Sequence, residues 1–118
     1  MVESKTLTQK KCQPCEGMGG PLKQPEAKEY LKKTPGWQLS EEGNVIYREF
    51  TMKNFMAAIN FINKIANIAE SENHHPDFHI TRYRKLRVEL STHAIGGLSE
   101  NDFILAAKIN EQPCELKL

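Results

Sequence analysis

The four histidines of the chain fall in one short stretch, at positions 74, 75, 79 and 93, with Glu70 just before them and Asp102 just after. Imidazole titrates at roughly 6.5 when unperturbed, so it is the side chain best suited to moving protons near neutral pH. Two or three imidazoles around one pocket, oriented by carboxylates, suffice for general acid–base catalysis with no cofactor. The spacing fits a shared site. Glu70 and His74 are four residues apart at the end of a helical pattern and so share a face. His74 and His75 lie where Pro76 turns the chain, and His93 ends a strand pattern. Such element ends are where scaffolds present reactive groups.

Each of these residues also has an ordinary account. A helix C-terminus favours histidine through its dipole alone. Asp102 is the acid of a capping box, Ser99-Glu100-Asn101-Asp102. His79 alternates with Phe78 and Ile80 and reads as a surface histidine, while Trp37, the sole tryptophan, reads as a core or rim aromatic. A metal centre is the competing chemistry, because histidines and carboxylates bind zinc or iron. Adjacent His74 and His75 cannot easily aim both rings at one ion, however. Cys12 and Cys15 lack the second pair that zinc needs. They also sit in a Gly/Pro-rich arm, not at the strand-to-helix junction of a thioredoxin-type site.

The elements that must place these groups are legible from periodicity. Residues 1–23, with Gly17-Met18-Gly19-Gly20-Pro21, show neither period and read as an extended arm; residues 24–118 form a single domain. Pro25 to Lys33 predicts a short helix, acids first and lysines last. Trp37 to Leu39 and Val45 to Phe50 predict a hairpin around Ser40–Asn44. Lys53 to Glu72 predicts the longest helix: Phe55, Ile59, Ile62, Ala66 and Ala69 form a stripe, widened by Ala58, Phe61, Ile65 and Ile68. Phe78 to Tyr83 and Leu86 to His93 predict two more strands. In the second, Leu86, Val88, Leu90 and Thr92 face one way and Arg87, Glu89, Ser91 and His93 the other. A last helix runs from Ser99 to about Asn110. The order αββαββα predicts an α+β fold: a four-stranded antiparallel sheet with helices on one face. Its uncovered face and edges invite oligomerisation.

Composition sets outer bounds. At 118 residues, 39% hydrophobic and 26% charged, the chain has the size of one globular domain. A net charge of +1 gives no global bias toward nucleic acid or anionic membrane. No apolar run reaches the roughly 18 residues of a membrane span. Met1 to Lys11 lacks the apolar segment of a signal peptide. Three cysteines make an odd number and point to a reducing compartment, by default the cytosol.

Taken in order, Glu70-Ser71-Glu72-Asn73-His74-His75-Pro76, Tyr83, Ser91-Thr92-His93 and Gly97-Leu98-Ser99-Glu100-Asn101-Asp102 resemble the signature of the pterin-4a-carbinolamine dehydratases. That family is also known as dimerization cofactors of a homeodomain transcription factor. Gly36-Trp37, and Phe50 five residues before Phe55, extend the resemblance over about residues 22–112. It departs from the animal form in the spacing from Pro76 to Tyr83, one residue longer, and in Phe78 where tryptophan is common. The resemblance implies the same αββαββα fold, assembly as a homodimer or homotetramer, a pterin substrate and no cofactor. It assigns proton transfer to His74 and His93, and pterin binding to His75, Pro76 and Trp37. Glu70 and Asp102 are implied to orient the histidines. It also implies a rival role: family members can bind and stabilise the dimer of a partner protein.

Overall fold

The computed structural model describes residues 7–14 and 20–118. Helix α1, Gln24–Leu31, has proline in its first turn, and its Glu26 carboxylate accepts the Lys23 N–H at 2.9 Å. Strand β1, Gln38–Leu39, and strand β2, Ile46–Thr51, form the expected hairpin, pairing Gln38 with Tyr47 and Leu39 with Ile46. Helix α2, Phe55–Glu72, opens on Asn54, whose side chain accepts the Ala57 N–H at 2.8 Å. It closes on Asn73, which takes the left-handed conformation at φ 53° and returns its N–H to the carbonyls of Ala69 and Glu70. Asparagine tolerates that region better than most residues, so the helix stops sharply.

Strands β3, Asp77–Thr81, and β4, Lys85–Leu90, form the second hairpin, and helix α3 spans Glu100–Asn110. The sheet order is β1-β2-β4-β3, antiparallel throughout. The α+β fold and the order αββαββα are those read from the sequence.

Two strands end short of their expected bounds. β3 ends at Thr81 and not at Tyr83, because Arg82 and Tyr83 both adopt positive φ, 49° and 54°, and make the turn themselves. β4 ends at Leu90 and not at His93. Thr92 N–H pairs with the Gly97 carbonyl at 2.7 Å, closing a small loop. Within it His93–Ile95 winds into one 3₁₀ turn that ends on Gly96 at φ 70°. The alternation nevertheless carries past the strand: Leu86, Val88, Leu90 and Thr92 are all buried.

The core lies between one face of the sheet and the helices. α3 is its most enclosed element, with every residue from Asn101 to Ala107 buried. The long helix buries only one side of the broad stripe expected. Ala58, Phe61, Ile65, Ala69 and Glu72 face the core, whereas Phe55 is 48% exposed and Met56 58%. Ile59, Ile62 and Ala66 lie half-buried between the two faces. A helix apolar over more than half its girth cannot be covered by one layer, so it shows a second apolar face to the outside. The opposite sheet face is polar. There Arg87 stacks on the Tyr47 ring at 3.8 Å and pairs with Glu89 at 2.7 Å and Glu49 at 3.4 Å.

Of the N-terminal arm, residues 7–14 are seen against the domain, with Leu7 fully buried in the core. Cys15 and Gly17-Met18-Gly19 lie outside the described residues. Among the described residues no helix is long and apolar enough to cross a membrane.

Candidate active site

Three chain segments meet at one end of the domain: the exit of α2, the loop after β4 and the entry of α3. Their meeting point is Asp102, which has no exposed surface. One carboxylate oxygen, Oδ1, lies 2.6 Å from His74 Nε2. The other, Oδ2, accepts Thr92 Oγ1–H at 2.9 Å and the Ser99 N–H at 3.0 Å. A carboxylate only accepts, so the Thr92 proton is committed to it, and Thr92 Oγ1 must accept from Ser99 Oγ–H at 2.8 Å. Ser99 Oγ in turn accepts the Asn101 N–H at 3.2 Å. Every proton in this buried network has one direction, which fixes the carboxylate firmly.

That geometry assigns the His74 tautomer. Nε2 carries the proton that bonds Asp102, leaving Nδ1 as the nitrogen able to take or give a proton. Nδ1 has no hydrogen bond among the described residues. Among the described residues no buried side-chain nitrogen or oxygen lacks a partner, so Nδ1 reaches solvent although the residue is only 8% exposed. The unit is a carboxylate–imidazole pair with one working nitrogen, the arrangement that orients a general base. His74 also lines a cavity of about 180 Å³ with Cys12, Gln13, Pro14, Glu72, Asn73 and Asn101.

His93 follows Thr92 directly, so the Asp102 carboxylate anchors the chain at both histidines. Its imidazole is exposed and bonds no described residue. His75 is exposed as well, with Nε2 2.5 Å from Glu70 Oε2. The last turn of α2 supplies that carboxylate, and the left-handed Asn73 turns the chain so that His74 points inward and His75 outward. Pro76 is half-buried beside them and starts the extended path into β3. His79 lies apart, on the polar face of the sheet, 3.5 Å from Glu89.

Trp37 does not join this group within one chain. It is 5% exposed, and its indole N–H donates to Asn110 Oδ1 at 2.9 Å. Asn110 ends α3, eight residues and roughly 12 Å along the axis from Asp102. The structure therefore brings together His74, His75, Glu70, Pro76, Asp102 and the backbone of His93, and sets Trp37 at the far end of the same helix. Among the described residues no three His, Cys, Asp or Glu side chains converge as a metal-holding group.

Sequence reasoning missed three participants. Thr92 continues the apolar face of β4, and a hydroxyl there requires a buried partner. Glu72 continues the core stripe of α2, where an acid requires a cation; Lys108 supplies it at 2.8 Å. Burial pushes the Glu72 carboxyl up, but the Lys108 hydrogen bond, the Cys12 N–H and the charges of Lys108 and Lys11 outweigh it and hold it below its ordinary value. Asn101, 2% exposed beside Asp102, gave no comparable signal. The Cys12 thiol is pushed up to about 12, first by burial and then by the Glu72 charge, which disfavours its thiolate form.

Comparison with known proteins adds an independent line. The family profile described as pterin 4 alpha carbinolamine dehydratase matches residues 20–112. A protein of Halorhodospira halophila named putative pterin-4-alpha-carbinolamine dehydratase is 43% identical over 105 residues, covering 89% of this chain and 95% of its own. One of the same name from Nitrosomonas europaea is 50% identical, over 88% of this chain and 90% of its own. The mitochondrial pterin-4-alpha-carbinolamine dehydratase 2 of Arabidopsis thaliana is 43% identical over 92% of this chain, which spans 60% of that protein's length. A crystal structure titled transcriptional coactivator/pterin dehydratase, from Brucella melitensis, superimposes with a TM-score of 0.72 at 34% identity. It covers 77% of this chain and 96% of its own.

Proposed function

The chain belongs to the pterin 4 alpha carbinolamine dehydratase family, and from that premise we propose that it converts 4a-hydroxytetrahydropterin to the quinonoid dihydropterin in tetrahydrobiopterin recycling. Loss of water breaks the C4a–O bond, puts one proton on the departing hydroxyl and removes one from N5 as the C4a–N5 double bond forms. The reaction is redox-neutral and calls for two proton carriers on one substrate. His74, through Nδ1, and His93 divide those two roles. Asp102 orients His74 and stabilises its charged form during transfer. Glu70 holds His75, which with Pro76 lies beside the two carriers and contacts the pterin ring.

The observation that carries this reading is the Asp102 carboxylate, bonded at once to His74 and to the residue before His93. A fold kept only for binding has no need of a buried acid that aims one imidazole and anchors the loop of another. Positioned acid–base groups are worth roughly 10² to 10⁴ in rate. The test follows quinonoid dihydropterin formation from freshly generated 4a-hydroxytetrahydropterin, for wild type, His74→Ala and His93→Ala. Wild type should run well above the spontaneous rate, and both variants should lose most of that excess. A wild type no faster than buffer would sink the proposal.

A second reading rests on the exposed apolar face of α2, where Phe55 and Met56 stand out. It is the surface for self-association as homodimer or homotetramer, or for a partner protein whose oligomer this chain would stabilise. The two activities separate by mutation: Met56→Lys should shift the oligomeric state in sedimentation, and His93→Ala should not.

A further inference from the structure

The family match begins at residue 20, yet the segment ahead of it is bonded to the candidate site. Cys12 N–H donates to Glu72 Oε1 at 2.8 Å, and Glu72 stands two residues before His74. Gln13 N–H donates to Asn101 Oδ1 at 2.8 Å, and Asn101 Nδ2 returns a bond to the Gln13 carbonyl at 2.7 Å. Asn101 immediately precedes Asp102. Two consecutive residues of the segment thus tie down the two helix ends that carry the two halves of the His74–Asp102 bond. Upstream, Lys10 pairs with Glu100 at 2.8 Å and Leu7 is fully buried in the core. Three of these bonds use the segment's own backbone, so it acts through its path and not through reactive side chains. Cys12, Gln13 and Pro14 also wall the cavity beside His74.

We propose that residues 7–14 are a strap that positions the His74–Asp102 pair by clamping the end of α2 to the start of α3. The strap is a positioning element and not a catalytic one. Without it the two ends stay joined by Glu72–Lys108 and by His74–Asp102 itself, so the fold persists while the imidazole loses its fixed aim. Misplacement by about 1 Å can cost on the order of 10²-fold in rate. This inference rests on the dehydratase reading for its kinetic consequence, but its structural part can be tested without turnover.

The experiment compares full-length wild type with Asn101→Ala and Leu7→Asp, two changes at opposite ends of the strap that share nothing else; Leu7→Ala replaces the latter if it does not fold. Strap release is read as faster trypsin cleavage at Lys10 and Lys11. His74 is read through its imidazole ring resonances at one fixed pH, and catalysis through kcat and KM. The expected result is faster cleavage, ring resonances displaced in the same direction in both variants, and kcat lower by at least about tenfold. Cleaved straps with wild-type His74 resonances and wild-type kcat would overturn the proposal. An inactive wild type whose His74 resonances still move on strap release would sink the dehydratase reading and leave the strap standing.

Discussion

His74 Nε2 lies 2.6 Å from Asp102 Oδ1, and the carboxylate that holds it has no exposed surface. The same carboxylate is the capping acid of α3, accepting the Ser99 N–H. One group thus starts the most buried helix and aims the imidazole. The two duties separate in Asp102→Asn. An amide can present only one acceptor oxygen, and its NH₂ would face either the His74 proton or the Thr92 and Ser99 donors. Activity should fall by about 10²-fold, as for loss of a positioned acid–base group. Stability should fall by about 2 kcal/mol, the scale of a lost hydrogen bond to a charged group. Steady-state kinetics and urea denaturation check the two parts. Wild-type kcat in a destabilised variant would confine Asp102 to capping.

Thr92 gives a cleaner dissection. Thr92→Val keeps the shape and removes the hydroxyl, leaving Ser99 Oγ–H without its acceptor and Asp102 Oδ2 with one donor fewer. Both sites are buried, so the expected cost is about 1–3 kcal/mol. Thr92→Ser should restore nearly all of it. The measurement is the urea midpoint of the three proteins, and a Val variant as stable as wild type would mean that the hydroxyl chain carries no free energy.

The element order, the sheet and the residue types of the site were legible because they follow from period and punctuation. The apolar/polar alternation of β4 continues through Thr92 whatever happens to its hydrogen bonds, so facing was readable where the strand end was not. β4 stops at Leu90 because Thr92 pairs with Gly97, a contact set by loop closure and not by propensity. The buried side of α2 was not legible for a different reason. With apolar residues on both Phe55–Ile59–Ile62 and Ala58–Phe61–Ile65, periodicity finds the helix but cannot choose between faces. Glu72 was the residue that marked the choice, since a lone acid on one stripe needs a buried cation. The Trp37 indole N–H donates to Asn110, at the other end of α3 from Asp102, a contact that no period in the sequence announces.

His75 and Glu70 form the opposite kind of pair. Their side chains are 56% and 76% exposed, so the 2.5 Å contact contributes at most about 1 kcal/mol to stability. His75→Ala should therefore leave the urea midpoint almost unchanged, while affinity for a dihydropterin, measured by fluorescence titration, falls by about tenfold. Unchanged affinity would remove His75 from the pterin contacts. A large loss of stability would show that the pair is structural despite its exposure.

Acid should loosen the strap as well as destabilise the domain. The Glu72 carboxyl sits below its ordinary value of 4.5 because the Lys108 and Cys12 hydrogen bonds outweigh the upward push of burial. Glu89 is lowered chiefly by its hydrogen bond to Arg87, and Glu100 by Lys10 and Tyr30 against the push of burial. In each case the folded state binds the proton less readily than the unfolded chain does. Near pH 4.5 the unfolded state therefore carries more protons, and stability rises with pH through that window. The contribution is complete above 4.5 and is lost as pH falls through it toward the lowered folded values. Urea midpoints measured from pH 7 downward should hold steady and then drop across this range. Glu72→Gln should be less stable at pH 7 and show a shallower acid slope, because one of the lowered carboxyls has been removed. Protonated Glu72 also weakens its bond to the Cys12 N–H, so trypsin-independent reporters of the strap, such as hydrogen exchange at the Cys12 and Gln13 amides, should show faster opening as pH falls below 4.5 toward the lowered Glu72 value. A Glu72→Gln slope identical to that of wild type would mean that other carboxyls account for the acid response and that Glu72 is not linked to the strap.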